Sequence, residues 1–80
     1  MRITDLVAGT PYVARQSFRD DGGVLVLPGD RLTYLRHRAV PVSGAFEVTF
    51  REETLTFHED RQRDVCEHAE RFFEPEHEER

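Results

Sequence analysis

The sequence predicts a mostly β (α+β) domain in which about five short strands are followed by one C-terminal amphipathic helix. Apolar and polar residues alternate over much of the first 57 positions, and the apolar spacing then changes to the helical period. Eighty residues allow one domain. Short strands separated by frequent turn signals are typical of a small barrel or a sandwich.

Turn signals separate the predicted strands. Asp20 and Asp21 precede two glycines, which readily adopt the positive φ angles of tight turns. The clearest alternation belongs to the fourth strand, where Phe46, Val48 and Phe50 share one face. These signals predict strands at 10–19, 24–27, 31–38, 45–51 and 54–57, with a loop at 40–44.

The helical period begins after residue 58. Five apolar residues share one side of such a helix: Val65, Cys66, Ala69, Phe72 and Phe73. Asp60 is the expected N-cap, and Pro75 is the expected end. We therefore expect a helix over about 60–74 that covers one opening of the β-structure, followed by a disordered acidic tail at 75–80.

Residues 29–35 have the sequence Gly-Asp-Arg-Leu-Thr-Tyr-Leu. This segment resembles the second-strand signature of SH3-like small barrels, in which a Gly-Asp pair closes a turn before an aromatic-Leu strand. The preceding segment, 18–23, resembles the RT loop, with Asp20 and Asp21 at its tip. The order of the motifs is also similar to that of an uncharacterised family of small bacterial domains. The resemblance covers roughly 12–35 and implies a five-stranded SH3-like barrel, with the domain spanning 1–74.

Charge and composition disfavour two classes of function, nucleic-acid binding and membrane association. The net charge is −5, and all of it lies in 58–80, because arginines and acids balance in the first 57 residues. A typical nucleic-acid-binding domain is distinctly basic, so this class is disfavoured. The N-terminus has no secretory signal pattern, and no apolar run is long enough to span a bilayer. We expect a cytoplasmic protein without membrane contact.

The sequence predicts no catalytic, cofactor or metal site. Cys66 is the single cysteine and lies in the apolar stripe, where a thiol behaves as a small hydrophobe. The spacing of Cys66 and His68 does not match the usual paired ligands of zinc. No glycine-rich phosphate loop is present, because Gly22-Gly23 lacks the lysine and helix that should follow.

We therefore expect a non-enzymatic protein–protein interaction module with an unidentified protein partner. Its expected contact surface combines the long loop with the outer end of the third predicted strand: Phe18, Asp20, Asp21, Arg36, His37 and Arg38. One alternative is a nucleic-acid-associated SH3-like barrel that uses the Arg36-His37-Arg38 cluster. Another is a structural domain that forms a homodimer through Phe72 and Phe73.

Overall fold

The computed structural model describes residues 1–40 and 44–76. Its elements are a five-stranded sheet, a two-stranded ribbon and three short helical segments. The strands are β1 Pro11–Ala14, β2 Phe18–Arg19, β3 Leu25–Val26, β4 Arg31–Val40, β5 Ala45–Phe50, β6 Thr54–His58 and β7 Phe73–Pro75. The helical segments are α1 Arg63–Glu67 and the 3₁₀ helices Ile3–Asp5 and Ala69–Arg71.

The larger sheet is antiparallel and has the strand order β6-β5-β4-β1-β7, while β2 and β3 pair only with each other. The mostly β prediction is confirmed. Among the described residues β6 and β7 do not pair, so the sheet is open and is not the predicted closed five-stranded barrel. Most of the predicted loop at 40–44 lies outside the described residues, although β4 extends to Val40.

One face of the sheet is packed with aromatic rings. Phe50 and Phe73 stack with ring centroids 5.9 Å apart. Phe18, from the two-stranded ribbon, contacts Phe57 of β6 at 6.2 Å and Phe73 of β7 at 5.5 Å. Because β6 and β7 are the two edge strands, this one ring bridges edges that no backbone hydrogen bonds join. Side-chain packing thus curls the sheet around its core without closing it.

The predicted helix over 60–74 is wrong in its extent. It is replaced by α1, a 3₁₀ turn and strand β7, and the residue preceding α1 is Gln62 rather than Asp60. Strand β1 would otherwise expose a row of unpaired backbone groups. Pairing with β7 satisfies them, and the Arg15 N–H also donates to the Phe72 carbonyl at 2.7 Å. Residues 73–75, whose apolar spacing predicts a helix, therefore form a strand because they pair with β1.

The predicted disordered tail at 75–80 is also corrected at its start. Pro75 pairs with β1, and the Glu76 backbone N–H donates to a carbonyl of the residue that begins this strand. The Glu76 carboxylate lies 2.8 Å from Nε of Arg31. Residues 77–80 lie outside the described part of the chain.

A β-bulge in β4 decides which side chains face outward. Tyr34 pairs with Phe50, but the next pair is Arg36 with Thr49, which leaves Leu35 unpaired. Since side chains alternate between faces, one extra residue reverses the alternation beyond it. Arg36 would otherwise follow Tyr34 onto the packed face. The bulge places it on the opposite face, which we call the outer face.

Replacing Phe73 by Ala tests the packing at the sheet edge. Phe73 is 2% exposed and contacts two rings, so Phe73→Ala should lower the free energy of unfolding by about 3–5 kcal/mol. Phe72 is only partly buried, so Phe72→Ala should cost clearly less. Urea denaturation followed by circular dichroism measures both. Equal losses, or a larger loss for Phe72→Ala, would contradict the placement of β7.

Candidate functional site

The outer face of β4, β5 and β6 carries a polar hollow of about 310 Å³. Five side chains line this outer-face hollow: Arg36, Arg38, Glu47, Thr49 and Thr54. They come from two cross-strand rows. Arg36, Thr49 and Thr54 are directly paired across three strands, and the next row pairs Arg38 with Glu47. Directly paired residues of an antiparallel sheet share a face, so the register itself groups these side chains.

The two arginines of the hollow differ in their partners. Nη2 of Arg38 donates to Oε1 of Glu47 at 2.7 Å, and this side-chain hydrogen bond raises the pKa of Arg38. In residues 1–40 and 44–76, no carboxylate oxygen lies within 4.0 Å of the Arg36 guanidinium. Glu47 therefore neutralises Arg38, whereas the Arg36 guanidinium has no ion-pair partner among the described residues.

His37 points away from the arginines on either side of it. It pairs with Val48, whose side chain is fully buried on the packed face. The ring Nδ1 of His37 lies 2.7 Å from the Tyr34 hydroxyl. Burial, helped by the neighbouring Tyr12, raises the pKa of Tyr34, so this hydroxyl keeps its proton. The sequence cluster Arg36-His37-Arg38 is thus divided between the two faces of the sheet.

Phe18 and Asp20 are not on the surface, and the expectation that they are exposed is wrong. Phe18 is 8% exposed and Asp20 is 6% exposed. Phe18 is held inside because its ring fills the space between the two sheet edges. Neither side chain is accessible to a partner in this structure.

Asp20 instead connects the ribbon to the edge of the sheet through hydrogen bonds. Its Oδ1 accepts the Val24 N–H at 2.7 Å, and its Oδ2 accepts the Thr56 N–H at 2.9 Å. The Asp21 N–H donates to the Thr56 carbonyl at 2.7 Å. Both outward backbone groups of Thr56 are therefore occupied, which blocks the middle of edge strand β6 against another strand.

Asp21 is half-buried and has a separate surface role. Its Oδ1 accepts a hydrogen bond from Nη1 of Arg61 at 2.8 Å. The Arg61 side chain is 67% exposed. Exposed ion pairs of this kind contribute little to stability. The predicted contact surface therefore separates into the buried pair Phe18 and Asp20, Asp21 in a surface ion pair, the two arginines of the outer face, and His37 on the opposite face.

Cys66 is fully buried, in agreement with its predicted place in the core. Burial, with a further contribution from Glu59, raises the pKa of its thiol to about 11. The thiol is protonated at neutral pH and is a poor nucleophile. In the described part of the chain, no group of three or more His, Cys, Asp or Glu side chains could hold a metal ion. Likewise, no helix in that part is long and apolar enough to cross a membrane.

Three residues that line the hollow are not predicted from the sequence as site residues: Glu47, Thr49 and Thr54. The alternation of the fourth predicted strand does place Glu47 and Thr49 on the face opposite Phe46. Their proximity to Arg36 depends on strand register, which the bulge at Leu35 sets. The pattern of apolar and polar residues in β4 does not predict that bulge.

Comparisons with known proteins show a shared fold. No protein-family model matches the chain, and no curated protein matches it. A solved integron cassette protein from the mobile metagenome of Vibrio cholerae is similar, with a TM-score of 0.83 and 22% sequence identity. The match covers 89% of this chain and 88% of that protein. At this identity the likeness shows the fold alone; it fits the expectation of a small bacterial domain and indicates no function.

Replacing Asp20 and Asp21 separately tests whether the hydrogen bonds of Asp20 stabilise the fold. Asp20→Asn puts an NH₂ group where a backbone N–H needs an acceptor, so it should lower the free energy of unfolding by about 1–3 kcal/mol. The matched control Asp21→Asn removes a surface ion pair and should cost less than about 1 kcal/mol. Urea midpoints measure the difference, and similar midpoints for the two variants would rule out the role given to Asp20.

The Cys66 thiol should be unreactive in the folded protein. Its burial and raised pKa predict negligible labelling by a thiol reagent at pH 8, with full labelling after unfolding in urea. Mass spectrometry counts the added groups. Rapid labelling in native buffer would show that the region around α1 opens easily.

Proposed function

We propose that the protein is a small, non-enzymatic interaction module that binds a protein partner through the outer-face hollow. The observation that carries the proposal is the Arg36 guanidinium, exposed beside the Thr49 and Thr54 hydroxyls, with no carboxylate from the described residues against it. The planar fork of donors on arginine suits carboxylates and is often found at interfaces.

A binding role fits the hollow better than catalysis does. Its carboxylate, Glu47, is held by Arg38. Thr49 and Thr54 have no histidine in the lining to act as a base. The hollow thus has groups that hold a ligand without a pair that would activate a nucleophile. The cytoplasmic location stays a prediction.

The alternatives find less support in the geometry. Two arginines and one glutamate give the lining a formal charge of +1, whereas nucleic-acid binding draws on several phosphate contacts. His37, which the nucleic-acid hypothesis used as part of the basic cluster, lies on the other face. Self-association through Phe72 and Phe73 would need an exposed apolar stripe, but Phe73 packs inside its own domain.

The test is affinity capture from lysate of the source cell, with and without nuclease. Wild type and the double variant Arg36→Ala/Arg38→Ala are compared. The control is Arg63→Ala, because Arg63 is 64% exposed, lies on α1 and does not line the hollow. We expect wild type and control to capture the same protein, and the double variant to lose about tenfold or more.

Two results would contradict the proposal. Equal capture by the double variant would place the contact surface elsewhere. Recovery that disappears with nuclease would identify nucleic acid as the bound species instead.

A further inference from the structure

The outer-face hollow presents a row of hydrogen-bond donors across three neighbouring strands. Arg36 on β4 pairs directly with Thr49 on β5, and Thr49 pairs with Thr54 on β6. Adjacent strands lie about 4.8 Å apart, so the row spans roughly 10 Å. It offers the five N–H donors of a guanidinium and two hydroxyl groups on one side of the sheet. Such a row suits an oxygen-rich, negatively charged group.

The charge of the hollow indicates which anion it accepts. The two arginines and Glu47 leave a formal charge of +1. A carboxylate carries a single negative charge, whereas a phosphoryl group carries about −1.5 to −2 at neutral pH. The Glu47 carboxylate, which lies 2.7 Å from Nη2 of Arg38, belongs to the same lining. It would repel a phosphoryl group more strongly than a singly charged carboxylate.

We propose that the outer-face hollow binds one carboxylate of a protein partner, either an acidic side chain or a free C-terminus. Arg36 holds the carboxylate with charge-assisted hydrogen bonds, and Thr49 and Thr54 supply further donors. Glu47 has two functions: it orients Arg38, and it disfavours phosphoryl groups by repulsion. This inference rests on the proposed function and adds the chemical class that the surface recognises.

The test is an NMR titration of the full-length ¹⁵N-labelled protein with small probes. One probe is N-acetyl-Gly-Glu-Gly-amide, which has a side-chain carboxylate. A second is N-acetyl-triglycine with a free C-terminus, and the control is N-acetyl-Gly-Gln-Gly-amide, which has no charge. Inorganic phosphate is titrated separately. We expect at least one carboxylate probe to shift the amide signals of Arg36, Thr49 and Thr54 saturably, and the uncharged control to leave them unchanged.

Variants identify the groups responsible. Arg36→Ala should weaken carboxylate binding by about tenfold or more, and Arg63→Ala should leave it unchanged. Phosphate should bind wild type more weakly than the better carboxylate probe does. Glu47→Gln removes the negative charge and should narrow that difference. The peptide that binds better tells whether the natural source is an acidic side chain or a free C-terminus.

The outcomes separate this inference from the proposed function. Saturable shifts that Arg36→Ala abolishes support the carboxylate site. Phosphate that binds wild type as well as carboxylate, or carboxylate shifts that survive Arg36→Ala, would overturn it. If capture of the protein partner depends on Arg36 and Arg38 but neither carboxylate probe binds, the carboxylate inference is wrong and the interaction surface stands. If a carboxylate probe binds but capture ignores both arginines, the proposed function fails and the site stands.

Discussion

The structure depends on one aromatic ring placed between the two edges of its sheet. Phe18 belongs to the small ribbon, yet it contacts Phe57 of β6 and Phe73 of β7. A protein of this size buries a modest fraction of its surface, so an open sheet needs a cover for its apolar face. The Phe18 ring supplies part of that cover and draws the edge strands together. The backbone hydrogen bonds nevertheless leave the sheet open among the described residues.

The outward backbone groups of β1 and β6 are satisfied in different ways. On β1, residues 73–75 add a short strand that ends in a proline. On β6, Asp20 and Asp21 occupy both outward groups of Thr56. Proteins commonly cover or interrupt edge strands, because an unpaired edge is a template for pairing with another molecule. Asp20 and Asp21, which the sequence predicts to contact a partner, therefore cover the edge of β6 instead.

The candidate site exists because the alternation of side chains between the two faces of β4 reverses at Leu35. Before the bulge, even-numbered residues such as Tyr34 face the core; after it, Arg36 and Arg38 face outward. On a regular strand both side chains would have followed Tyr34 onto the face that carries the aromatic core. The bulge places them on the opposite face and aligns Arg36 with Thr49 and Thr54. This irregularity therefore creates the hollow.

The sequence by itself determined the mostly β class and the burial of the stripe residues Val65, Cys66, Ala69 and Phe73, because the distribution of apolar residues along the chain is a local property. It did not determine the face of Arg36 and Arg38, because alternation alone would place both with Tyr34 on the packed face. The tertiary structure decided the rest. Residues 73–75 became a strand because the β1 edge lies beside them, and Asp20 became buried because Thr56 supplies a distant N–H. The lining of the hollow followed from a register shift. Each of these results depends on a contact between residues far apart in the sequence, and such contacts leave no local pattern to find.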